Sequence, residues 1–129
     1  MISTYARNLL LNWMMTAGAA TRPTAWYVSL HVADPGKTGA NELDTGTDAD
    51  YVRKLAAFDT ATVETSATTG DLTWTADVAA TPYSVTHIGV WDALSGGNFL
   101  IGGALTVPES VVANGSLVLA TGRCIASLT

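Results

Sequence analysis

The chain is poor in the residues that catalysis, redox chemistry and nucleic-acid binding draw on. It has one cysteine, Cys124, so no internal disulfide can form, and this residue sits in an alternating apolar segment that reads as a buried, inert thiol. Its two histidines, His31 and His87, have no second ligand at metal-motif spacing, so no metal site and no cofactor is expected. Six Lys and Arg stand against eleven Asp and Glu, a net charge of -5, with no basic run. That balance argues against nucleic acid as a partner. No apolar stretch approaches the roughly 20 residues that span a bilayer, so no membrane partner is expected either. The start, with Arg7 before Leu9 to Met15, loosely imitates a signal peptide. Asn12 interrupts the apolar run and the basic residue lies inside the segment, so it reads as a helix and not as a leader. Hydrolytic and phosphate-binding motifs are missing too: no Gly-x-Ser-x-Gly elbow occurs, and no Gly-Lys-Ser/Thr follows Gly102 and Gly103.

What the chain does have is apolar residues and glycine. It is 48% hydrophobic, contains 12 glycines and is 13% charged over 129 residues. An ordinary domain is about 25% charged. The length gives a single domain, residues 1–129, folding to roughly 6,500 Å² of surface. Seventeen charged side chains cover that area thinly, so contact with other subunits is expected to complete it. The expectation is an assembly component, a homo-oligomer.

Periodicity divides the chain in two. Ile2, Tyr5, Ala6, Leu9, Leu10, Trp13 and Met14 recur at helical spacing, predicting one N-terminal helix within residues 1–17, capped by Ser3 or Thr4 and ended by Gly18. Its apolar stripe is broad enough to require a sheet or a neighbouring subunit against it. After Pro23 the period becomes two. Trp26 to Ala33 reads as a strand ending at the Asp34-Pro35-Gly36 turn, followed by a long polar loop over residues 34–50. Further strands are predicted over 52–58, 60–65, 71–76, 116–120 and 123–128. A hairpin is predicted from 85–92 to 98–105 through Gly96-Gly97. The fold class is therefore mainly β: an antiparallel β-sandwich over residues 24–129, its connectivity open to a jelly roll, with one N-terminal α-helix.

Candidate chemistry is sparse. Asp44, Asp48 and Asp50 bring carboxylates together, but without the EF-hand spacing, and read as a solvated acidic loop. Carbohydrate binding by exposed aromatics is the alternative function, with Tyr51 and Tyr83, next to loops, least committed to a core.

Several segments resemble small tailed-bacteriophage virion proteins, often labelled tail fibre proteins. They are Tyr5 to Leu11, Tyr27 to Pro35, Asn41-Glu42-Leu43, Tyr51-Val52-Arg53, and above all His87 to Ala93, Ser95 to Asn98 and Leu100 to Leu105. The chain departs from these relatives before Tyr51, where Asp48-Ala49-Asp50 replaces a glycine cluster. The resemblance covers nearly the whole chain, and its motifs are structural. It implies a non-enzymatic virion component made in the host cytoplasm, self-associating as a homo-oligomer, with three copies expected, and meeting the major capsid or tail protein. A host-surface carbohydrate-binding tail adhesin is the alternative. Its compact size suits a capsid-decorating or cementing protein, or a compact tail subunit, better than an extended shaft. The residues expected to make assembly contacts are Trp13, Met14 and Met15 on the helix, and Asn41, Glu42 and Leu43 in the loop.

Overall fold

In the computed structural model, which describes residues 1–128, one helix precedes eight strands. Helix α1 (Thr4–Met15) begins where the Ser3 hydroxyl accepts a bond from the Ala6 N–H, satisfying one of the donors that a helix start leaves free. Its end lies earlier than Gly18. Thr16 adopts an extended conformation while its N–H and hydroxyl both return to the Asn12 carbonyl, so the helix stops without a left-handed residue.

Strands β1 (Trp26–His31), β2 (Lys54–Ala56), β5 (Tyr83–Trp91) and β6 (Phe99–Val111) form one antiparallel sheet in the order β2-β1-β5-β6. Strands β3 (Thr65–Ala67) and β8 (Ile125–Ser127) form a second sheet, and β4 (Leu72–Thr75) and β7 (Ser116–Leu119) a third. The mainly β, antiparallel class with a single N-terminal helix is thus as the periodicity predicts. The layering is sandwich-like: Val28, Leu30 and Val90 of the large sheet share one core with Leu72, Trp74, Leu117 and Leu119 of the β4-β7 pair.

Two details differ from the sequence reading. The predicted strand over 60–65 is a tight turn in which Val63 and Glu64 both take positive φ and Thr62 bridges Thr65, and the strand itself starts at Thr65. In β1, residues Val28 to His31 are all buried, where alternation implies one wet face. Both faces are covered because the 34–43 segment folds back over the face opposite the main core. Gly39 and Ala40 bond the Pro35 carbonyl, and the Leu43 N–H bonds the Leu30 carbonyl.

Candidate assembly surface

The covered second face of the large sheet carries Ser29, His31, Gly89 and Gly102 beneath Trp91 and Phe99. Ring packing builds it: Phe99 meets Trp91 edge-on at 5.2 Å and His31 at 6.1 Å. The facing strand residues must be small. A Cβ at Gly89 would lie 2.6 Å from Phe99 and 2.7 Å from the His31 ring, and one at Gly102 2.7 Å from Phe99. The glycines of the hairpin are therefore seats for an aromatic ring. Gly103, by contrast, faces open space.

A polar chain runs through this layer. Trp91 Nε1–H donates to Ser29 Oγ at 3.0 Å, and Ser29 Oγ lies 2.8 Å from His31 Nε2. His31 Nδ1 is 2.8 Å from the Ala40 carbonyl, which can only accept, so this nitrogen carries the proton and Nε2 accepts from Ser29. Burial lowers the pKa of His31 and favours this neutral form, outweighing the Ala40 carbonyl and Glu42, which pull the other way.

Beside it, Arg53 grips Glu42 in a fork, Nε to Oε1 at 2.8 Å and Nη2 to Oε2 at 2.7 Å. Its Nη1 donates to the Ala93 and Gly96 carbonyls, and its guanidinium lies 3.8 Å from the centre of the Trp91 ring. Tyr51 completes the group, donating to Glu42 and accepting from the Leu30 N–H. Burial first, then the Glu42 charge, pushes its phenol well above the ordinary range. A second knot forms around Asp48, which is 2% exposed and accepts from the Asp50 and Asp77 N–H groups and from the Tyr83 hydroxyl. The loop that reads as solvated and acidic is thus folded around a buried carboxylate. Its aspartates gather no metal cluster among the described residues.

The residues expected to make contacts separate. Leu43 is 4% exposed and belongs to the main core, and Glu42 is committed to Arg53 and Tyr51. Both hold the loop: Leu43 has no side-chain surface to offer a neighbour, against the expectation for it, while Glu42 keeps 19% of its side chain exposed. Asn41 is exposed, takes positive φ and donates to the Asp34 carbonyl. Trp13, Met14 and Met15 are 71%, 67% and 74% exposed. No residue of α1 is buried: the helix is fixed at its foot, where Ser3 N–H bonds the Leu100 carbonyl and Ile2 bridges Ile101, and its far end projects. His31 and His87 face each other across β1 and β5, His87 bonding Thr86. Cys124 is buried as expected, and burial pushes its thiol up to about 11.

The sequence reading did not identify two clefts flanking Ile2. One, of 610 Å³, runs between β6 and the β7-β8 segment, past Leu105, Val107, Val118 and Ile125. The other, of 430 Å³, lies between α1 and the sheets, lined by Leu10, Trp26, Phe58 and Leu128. The available signal was the outward apolar residues of short strands, Val118 and Ile125, which alternation places away from the core.

A family model described as podophage GP4 fiber I protein gp80 matches residues 1–127. No curated protein matches the chain.

Proposed function

The chain belongs to the podophage GP4 fibre I protein family, and from that membership we propose that it is a non-enzymatic structural subunit of a phage particle. In this reading it is a compact, oligomeric β domain that decorates or cements the particle surface, on the capsid or the tail, beside the major capsid or tail protein. One observation carries the reading. The polar groups capable of chemistry are turned inward and bonded to the fold, while large apolar side chains are turned outward. His31, Asp48 and Arg53 are buried with their partners. Trp13, Met14, Met15, Val107 and Ile125 are exposed. An enzyme site needs the reverse, polar groups free to meet substrate in a cleft, and a subunit surface has this pattern.

The adhesin reading relies on Tyr51 and Tyr83, and both hydroxyls are engaged within the fold. It therefore ranks second. Labelling the protein on purified particles tests the order. Label spread in many copies over capsid or tail supports decoration, and label confined to the tail tip, with glycan binding lost in Tyr83→Phe, supports the adhesin.

A further inference from the structure

We propose that copies of this chain associate with the projecting end of α1 from one copy seated in the apolar cleft between α1 and the sheets of another. The inference goes beyond the virion reading and does not depend on where on a particle the protein sits. Three observations carry it.

The first is area. The folded chain exposes 7471 Å², about 1,000 Å² more than the roughly 6,500 Å² that size scaling gives for a compact monomer of this mass. That excess is comparable to the roughly 800 Å² that each partner contributes to a standard stable interface. The second is where the uncovered surface lies. Leu11, Trp13, Met14 and Met15 are each more than half exposed on a helix with no buried residue, and together they present on the order of 500 Å² of apolar side chain. The third is complementarity within one chain. No charged residue stands between Arg7 and Arg22, and the cleft, 430 Å³ with Leu10, Trp26, Phe58 and Leu128 in its lining, has Asp59 as its one charged residue. A knob without charge and a hole almost without charge adjoin along α1 of one molecule, and a contact between copies brings the knob of one to the hole of the other. A second copy covers both features at once; a foreign partner seated on the knob leaves the hole open.

Sedimentation of the full chain across concentration, with circular dichroism to confirm folding, tests this. Wild type should sediment as a multiple of 13.4 kDa. Trp13→Glu should weaken association at least about thirtyfold, as loss of a hot-spot residue does, and Leu128→Lys, at the other side of the contact, should do the same. Both positions are more than half exposed, so the fold should survive. Combining the two substitutions in one chain should restore association, because the introduced charges meet between copies. A folded monomer at high concentration, single variants that associate like wild type, or a double variant no better than either single one would overturn the proposal. Particles that still carry a monomeric protein would leave the virion reading standing while this inference falls.

Discussion

A methyl group added at Gly89 would press on Phe99, His31 and Ser29, all within 2.8 Å, whereas one added at Gly103 meets nothing within 4 Å. Gly89→Ala should therefore cost about 1–3 kcal/mol through overpacking, and Gly103→Ala, at ordinary φ, should be neutral or stabilising by up to about 1 kcal/mol. Urea melts of the two variants side by side check this. Arg53 is the other decisive residue. It is 9% exposed and its partner Glu42 19%, so Arg53→Ala leaves a half-screened carboxylate and two bare carbonyls, Ala93 and Gly96. Chemical denaturation should show a loss of about 2–4 kcal/mol, the lower end reflecting residual solvent around Glu42. His31 sets the response to pH. Its folded pKa lies below the ordinary 6.5, so above about 6.5 its contribution to stability is complete, and as pH falls below that value the unfolded chain takes up the proton first. Stability should then fall by up to about 1.4 kcal/mol per pH unit until the folded pKa is reached. Asp71 titrates separately. Thr121 holds its carboxyl below 3.8, so its effect belongs to a more acid range. Melts at pH 8, 6.5 and 5 should show this decline in wild type and lose it in His31→Gln, and a flat wild-type profile would remove His31 from the account. None of this was readable in the sequence beyond the motif letters. Arg53 finds its carbonyls 40 and 43 residues away, a pairing that no local pattern encodes.

At the scale of elements, periodicity predicted the helix well and its packing badly. Ser3 caps α1 as the sequence suggests, yet the broad apolar stripe gave no sign that the body covers only Ala6 and Leu9 in part and leaves the second half of the helix exposed. The reason is physical: a stripe this wide is compatible with several neighbours, and the intramolecular sheet takes only a small part of it. Ser3→Ala should remove about 1 kcal/mol from the helix. Because no residue of the helix is fully buried, the effect should stay local. Amide exchange should quicken over residues 4–15 while the near-ultraviolet signal of Trp74 and Trp91 holds. Among the strands, β4 follows its alternation closely, with Leu72 and Trp74 inward. The β5-β6 hairpin pairs as predicted but breaks alternation, with register shifts between Val85 and His87 and between Val90 and Trp91. The 60–65 segment misleads because its Thr and Val residues favour extended backbone, while the chain turns through positive φ at Val63 and Glu64. Strands β7 and β8 are close in sequence yet pair with β4 and β3, partners that local pattern does not reveal.

The whole molecule is a two-sided sheet closed by side chains and left open at its apolar helix end and clefts. Low charge in the sequence pointed to covered surface, and the exposed apolar end of α1 is the surface that we propose is covered. The segments that resemble phage virion proteins, Asn41 to Leu43, Tyr51 to Arg53 and the Trp91 to Phe99 turn, meet in one cluster around Arg53. Those motifs therefore specify a rigid building block, and the account's central claim is that this block is built into the particle. Quantitative mass spectrometry of gradient-purified virions tests that claim most directly. The account predicts the chain at a fixed copy number per particle, an integral multiple set by the symmetry of its site; a chain abundant in the lysate but absent from purified particles would contradict it.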